Sequence, residues 1–362
     1  MKRRNLLKHA AIGASLVACS QNNTGSQAQS TKKVRWRLAS SFPRSLDTLF
    51  GASDVLAEQV SLMTNGNFQI KVHPAGELVP PFEVLDSVQQ GSIQIAQSAS
   101  YYFIGKNPAL AFDSCVPFGM TSRQQSAWLH NGGGLELIHK LFSDFNIISF
   151  PGGNTGAQMG GWFKKEVHSM QDMQGLRMRI PGMGGKAMAN MGVAVQNIPG
   201  GEIYTSLERG AIDATEWVGP YDDEQLGLHE VAPFYYYPGW WEPGPSLSFF
   251  VNKDEWNKLP SDYKAVFKAA CRFAEANMQA RYDSQNPQAL ARILAKGIQL
   301  RPFAKDILDA AFTTSQELLE DYASKDKTFH TVFSAWKKAK EQSFTWFGTT
   351  EATYAGYAFT KK

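Results

Sequence analysis

The sequence predicts an α/β chain of two similarly built lobes followed by a helical C-terminal region. Three observations carry this. Along residues 33–100 the apolar pattern switches repeatedly between a period of two and a spacing of three or four. The stretch 84–100 can be laid on 203–219 without gaps. Beyond residue 254 helical spacing dominates.

In chain order, "KVRWRLAS" (33–40) alternates and predicts a strand. "SLDTLFGASDVLAEQVSLMTNG" (45–66) has helical spacing and stops on Asn65-Gly66. "FQIKVHPAG" (68–76) predicts a strand, "PPFEVLDSVQQG" (80–91) a short helix, and "SIQIAQSAS" (92–100) another strand. This alternation implies right-handed crossovers and a largely parallel sheet. A helix near 122–145 follows, then strands "IISFPGG" (147–153), "AQMGGWF" (157–163) and "LRMRIPG" (176–182). The second repeat unit runs a short helix through Gly210 into a strand ending near Glu216-Trp217. "YYYPGWWEPGP" (235–245) predicts a loop or hinge, "PSLSFFVN" a strand, and 254–283, 287–296, 305–324 and 328–345 helices. The expected division is 34–156 plus about 245–284 for lobe 1 and 157–244 plus about 285–325 for lobe 2. A C-terminal extension covers about 326–362.

The first eighteen residues hold Lys2, Arg3, Arg4 and Lys8 and no acid, so removing them takes the formal charge from +3 to −1. A near-neutral body argues against nucleic-acid binding. "MKRRNLLKHAAIGASLVACS" has a basic start, a short apolar stretch and a small-residue end, which predicts an export signal over 1–18. "RRNLLK" resembles a twin-arginine signal, with Sec export as the alternative. "LVAC" resembles a lipobox that would lipidate Cys19, and 19–33 reads as a polar tether. Cys115 and Cys271 are too few and too distant for a disulfide framework or a thiolate metal site, and read as buried and unpaired.

No HExxH, GxSxG or CxxC occurs, and "PGMGGKAM" lacks Walker spacing. Strand alternation puts Arg177 and Arg179 on one face, and Pro181-Gly182 leaves Arg179 at the strand's carboxyl end. Ligands gather there in open α/β sheets, and a guanidinium can grip a carboxylate with two parallel hydrogen bonds. The competing reading is a surface arginine paired with a local acid. Gln158, between two glycine pairs in "GGNTGAQMGGWF", could offer its amide oxygen to a cation, or simply lie in a tight packing strand. Glu216 and Glu242 sit among bulky aromatics, where a carboxylate is costly unless paired or bound to a cation. With the Trp217 backbone carbonyl they would give the oxygen ligands that Na⁺ or Ca²⁺ prefers. The alternative is a salt-bridged or solvated pair. Asp222 and Asp223 follow the Gly219-Pro220 turn and are expected to cap the next helix.

"WRLASSFPRSLDTLFG", "GGNTGAQMGGWF", "GLRMRIPG", "IDATEWVGPYDDE" and "YYYPGWWE" together resemble the extracytoplasmic solute-binding subunits of tripartite ATP-independent periplasmic (TRAP) transporters, over roughly 33–345. They resemble most the branch that binds 2-oxo or 2-hydroxy monocarboxylates with a metal ion. The resemblance implies a two-lobed periplasmic binding protein fold with a hinge and a ligand cleft between the lobes. It implies no enzymatic turnover, with delivery of a pyruvate-like acid to a TRAP membrane permease. Arg179 would hold the substrate carboxylate, and Gln158 would contact substrate and cation. Glu216, the Trp217 carbonyl and Glu242 would bind the cation, sodium first and calcium as the alternative. Tyr101 and Tyr102 would close on the ligand, and Trp217 would add an apolar wall. A homodimer through the C-terminal helix is also implied, as is a periplasmic location, lipid-anchored through Cys19. The competing functions are lactate or another 2-hydroxy acid as ligand with calcium, a metal-dependent enzyme on a small organic acid, and a sensory binding protein. The lack of His ligands and of a nucleophile–base pair counts against the enzyme.

Overall fold

The computed structural model describes residues 31–361. The expected export signal, the lipobox and most of the tether fall on residues 1–30, outside the described residues. No described helix is long and apolar enough to cross a membrane.

Eleven strands form two sheets. The first holds β1 (Val34–Ser40), β2 (Phe68–His73), β3 (Ile95–Ser98) and β4 (Ile147–Asn154). The second holds β5 (Gly161–Phe163), β6 (Arg177–Arg179), β7 (Ala194–Gln196), β8 (Ala214–Thr215) and β9 (Phe234–Tyr237). The chain then returns to the first sheet as β10 (Ser246–Asn252) and ends in the second as β11 (Gln299–Pro302). The orders are β2-β1-β3-β10-β4 and β11-β9-β5-β8-β6-β7.

The two sheets share a plan. In the first, β3 lies between parallel β1 and antiparallel β10, which is also antiparallel to β4. In the second, β8 lies between parallel β6 and antiparallel β5, which is also antiparallel to β9. The largely parallel expectation holds in direction: all strands of the first sheet but β10, and all strands of the second but β5, run the same way. These two reversed strands are the first to enter each sheet from the other.

Other expectations change in extent. The helix after β1 covers Gly51–Met63 only. Of "AQMGGWF", just Gly161–Phe163 pairs as strand. Its first half leaves the sheet, where Gln158 N–H donates to the Glu242 carbonyl at 3.2 Å and Met159 N–H to the Val218 carbonyl at 3.1 Å. The glycines there do allow close approach: a Cβ on Gly161 would lie 2.3 Å from the Thr215 carbonyl oxygen. The aromatic run expected as a loop begins as strand β9.

The largest correction is a helix of 35 residues, Ser261–Ala295, that runs straight through Pro287. Separate helices over 254–283 and 287–296 were expected, and proline does remove one hydrogen bond and crowd the preceding turn. Packing holds both sides: Tyr282 and Ala289 are fully buried, and Asn286 Oδ1 accepts the Tyr221 N–H at 3.0 Å. The helix packs its first half on β4 and the helix Gly51–Met63, and its second half on Pro220–Gln225. The C-terminal helices Lys305–Lys325 and Lys327–Phe347 follow as expected. Ile307 and Ala311 join the core of the second sheet, while Leu319, Phe329 and Trp336 join that of the first. Cys115 and Cys271 are buried and free.

Candidate functional site

The second sheet ends its central strands on two charged residues. β6 stops at Arg179, and β8 stops at Thr215 just before Glu216; the Glu216 N–H donates to the Arg179 carbonyl at 3.2 Å. The two arginines expected on one face differ in burial, and the three-residue strand shows no alternating burial. Arg177 is exposed and pairs with Asp213 at 2.6 Å, whereas Arg179 is only 1% exposed.

Burial forces Arg179 to find partners. Its Nε donates to the Ile198 carbonyl at 2.9 Å, and its Nη1 donates to Glu216 Oε1 and, at 3.4 Å, to the Glu216 carbonyl. The guanidinium carbon lies 5.0 Å from the Trp217 ring centroid, a cation–π distance. Nη2 has no partner. A parallel two-pronged grip on an incoming carboxylate therefore requires either Nη1 to leave Glu216 or Nε to leave the Ile198 carbonyl.

Gln158 is its complement. Its Nε2 donates to the Thr155 hydroxyl at 3.2 Å, while its Oε1 is buried with no partner. An unsatisfied buried polar atom costs about 1–3 kcal/mol. A free donor and a free acceptor in one chamber mark a place shaped for a polar guest.

The chamber is nearly filled by its own walls, with about 10 Å³ of free cavity, and is lined by Tyr101, Tyr102, Thr155, Gln158, Arg179, Glu216 and Trp217, with apolar walls from Phe42, Leu49, Val218 and Leu247. Tyr101 and Tyr102 come from the turn Ser100–Phe103 after β3. Gly182, at φ +64°, lets the helix Gly182–Asn190 meet this turn; a Cβ there would lie 3.1 Å from Tyr101 Cβ. A larger, open depression of about 420 Å³ adjoins across Tyr101 and Tyr102. Glu242 stands behind the wall, its Oε2 accepting the Tyr101 hydroxyl at 3.1 Å.

The electrostatics are unbalanced. Glu216 and Glu242 are 1% and 4% exposed, and one arginine faces both. Burial pushes Glu216 up to about 7 despite the opposing pull of Arg179. Burial, then repulsion from Glu216, holds Glu242 well above the usual carboxylate range. Burial raises the Tyr102 phenol to about 12, with Arg179 opposing. A positive ion here would relieve both carboxylates. Among the described residues no three His, Cys, Asp or Glu side chains gather as a metal cluster. Any cation must therefore draw on amide and carbonyl oxygens as well, which suits hard ions such as sodium or calcium.

The structure thus brings Tyr101, Tyr102, Gln158, Arg179, Glu216 and Trp217 to one chamber, with Glu242 one side chain behind. Asp222 and Asp223 do not cap their helix. Asp222 accepts the hydroxyls of Thr48 at 2.6 Å and Tyr282 at 2.7 Å. Asp223 accepts Trp162 Nε1 at 2.9 Å and the Tyr235 hydroxyl at 2.7 Å, plus the Val218 and Gly219 N–H groups. Burial raises both, to about 6 and about 7. Sequence reasoning missed Thr155, Phe42 and Leu49 as lining residues, although all three lie in strings it had singled out. It also missed Asp113, a fully buried carboxylate that accepts the Ser100 hydroxyl and so anchors the tyrosine turn.

Residues 39–326 match the bacterial extracellular solute-binding protein family 7. A monocarboxylate 2-oxoacid-binding periplasmic protein of Nostoc sp. is 52% identical over 99% of each chain. A TRAP transporter solute-binding protein from Bordetella bronchiseptica superposes with a TM-score of 0.90 at 43% identity, over 91% of this chain and 98% of that one. It was solved as a mixed-occupancy dimer with calcium and picolinate in one site and the other empty. A TRAP periplasmic solute-binding protein from Pseudoalteromonas atlantica, with bound sodium and pyruvate, gives 0.87 at 38% identity, over 90% and 99%. The chain therefore belongs to the bacterial extracellular solute-binding protein family 7, a family of TRAP solute receptors and not of enzymes.

Proposed function

We propose that the chain captures a small 2-oxo monocarboxylate of pyruvate's size together with a metal cation, and delivers it to a TRAP permease. One observation carries this reading: the unpartnered Arg179 Nη2 and Gln158 Oε1 share a buried chamber with an under-compensated pair of glutamates. The Nostoc relative is named for 2-oxoacids, and the Pseudoalteromonas neighbour holds pyruvate.

In this reading Arg179 binds the ligand carboxylate, and Tyr101, Tyr102 and the Trp217 ring close over it. Gln158 Oε1, the Glu216 carboxylate and the Trp217 carbonyl hold the cation, and Glu242 completes the set. A bound cation would supply an electrophilic centre to which a carboxylate oxygen and a keto oxygen bind as a chelate. The residues do the rest: they exclude water and orient the acid between lobes 34–156 plus 245–284 and 157–244 plus 285–325. Sodium is our first assignment and calcium the alternative; the two neighbours hold one each. Export through the N-terminal signal, with Cys19 as a lipid anchor in the periplasm, belongs to the same reading. So does a homodimer through the C-terminal helices, where Phe344, Trp346, Tyr354, Tyr357 and Phe359 are exposed.

The test is thermal unfolding against a panel of pyruvate, longer 2-oxo acids and lactate, each with sodium, with calcium and with chelator in potassium buffer. A ligand that binds only the folded state raises the melting temperature. Pyruvate is expected to do so, with a cation present. A shift with lactate alone, or with no member of the panel, would reject the assignment.

A further inference from the structure

We propose that the basic face at the start of β1 docks on anionic phospholipid headgroups, laying the folded body against a negatively charged bilayer. This surface is separate from the ligand chamber. The proposal takes from the proposed function only that the chain works beside a bacterial membrane.

Residues 32–46 contain Lys32, Lys33, Arg35, Arg37 and Arg44 and no acid. In β1, Val34, Trp36 and Leu38 are buried while Arg35 and Arg37 are exposed on the opposite face. β2 adds exposed Lys71, directly opposite Arg37 in register. Like charges facing each other across a strand pair destabilise a sheet, so the fold gains nothing from this arrangement. Arg44 is otherwise engaged, over the Phe50 ring and in the field of Asp54.

The partners of the two strand arginines are backbone carbonyls. Arg35 donates to the carbonyls of Val34 and Asn67, and Arg37 to that of Ser92. Among the described residues no carboxylate forms an ion pair with Arg35, Arg37 or Lys71. Elsewhere Lys106, Arg177, Arg281, Arg292, Lys325 and Lys337 each face an acid within 2.8 Å, whereas exposed Lys165, Lys186 and Arg209 stand singly on other faces. Exposed acids Asp54 and Glu58 lie on the helix Gly51–Met63, which also borders this face through Ser61.

The shape suits a bilayer. Arg35, Arg37 and Lys71 line an open depression of about 620 Å³ together with Ser61 of that helix. The next residues, Leu62 and Met63, are 63% and 37% exposed. Cations beside exposed aliphatic groups are the composition of interfacial binding surfaces. The chain also enters the body here, at exposed Lys32 and Lys33. If Cys19 carries the lipid, the fourteen residues on to Lys33 reach at most about 50 Å. A polybasic patch is the kind of second signal that strengthens a lipid anchor.

The test is flotation of the chain from Ser20 onward, which lacks Cys19 and so carries no lipid, with vesicles of phosphatidylethanolamine and phosphatidylglycerol against vesicles of phosphatidylcholine. Binding is expected only to the anionic vesicles at low salt, with loss in 0.5 M salt as the Debye length shrinks. Combining Arg35→Glu, Arg37→Glu and Lys71→Glu is expected to lower partitioning on the order of a hundredfold. The three glutamine substitutions should give an intermediate loss without introducing repulsion. Both variants should keep the pyruvate-induced melting shift, which shows that they fold. Should no ligand shift a wild-type chain that still floats, the ligand reading fails and this one stands. Equal binding to neutral vesicles, or unchanged binding by the charge variants, would overturn the proposal. So would flotation that needs permease in the bilayer, which would assign the face to a protein partner.

Discussion

The two lobes share a strand plan but end their central strands differently. Laying 84–100 on 203–219 places Gln97 where the second lobe has Glu216. In the first lobe Gln97 Oε1 accepts the hydroxyls of Ser40 at 2.7 Å and Ser53 at 2.8 Å, and its Nε2 donates to the Leu49 carbonyl at 2.6 Å. It is neutral and every polar atom is paired. In the second lobe the same position is a carboxylate on a buried arginine, with a free donor and a free acceptor beside it. On the neighbouring strand the register that gives Arg179 in β6 gives Ala39 in β1. One architecture thus serves once as packing and once as a site. The difference lies in two side chains at strand ends and not in the fold.

Removing the charged strand end should have the largest effect. Arg179→Ala is expected to weaken pyruvate binding on the order of a thousandfold, about 4 kcal/mol. Calorimetric titration checks this; an affinity within tenfold of wild type would show the anchor lies elsewhere. Glu216→Gln makes the second lobe resemble the first. It leaves Arg179 buried and unpaired, so we expect a loss of roughly 3 kcal/mol in cation-free stability. The reciprocal change, Gln97→Glu, sets a carboxylate against the Leu49 carbonyl with no arginine in reach. It should cost about 2 kcal/mol of stability by denaturant unfolding and leave the cation dependence of ligand binding unaltered.

The smallest effect concerns pH. Glu216 is raised to about 7 and Asp223 likewise, while the unfolded chain releases those protons in the ordinary carboxylate range. The folded state then holds more protons between about pH 4.5 and 7, so stability of the cation-free protein falls as pH rises through that window. A bound cation favours the ionised Glu216 and should flatten the slope. Melting temperatures at pH 5, 6 and 7.5, with and without cation, check it. A cation-free melting temperature that climbs with pH would contradict the assigned sign.

Much of this site was legible because strand ends are. Pro181-Gly182 fixed where Arg179 would stand, and the repeat fixed Glu216 at a carboxyl end. Glu242 was found by the resemblance of its string; nothing in local spacing tells that it sits behind Tyr101, 141 residues away. The Thr48–Asp222 contact spans 174 residues, and no sequence period reports such a pair. The expected division already placed β5 in the second lobe and β10 in the first; their reversed direction was hidden for the same reason. Pro287 misled because local preference was outweighed by burial of the helix on both sides.

The central claim is that Glu216 binds the cation on which the ligand depends. The direct measurement is pyruvate affinity at pH 7 for wild type and Glu216→Gln across a series of sodium or calcium concentrations. Affinity rising with the cation in wild type, and flat in the variant, is the predicted result. The same cation dependence in both proteins would contradict it.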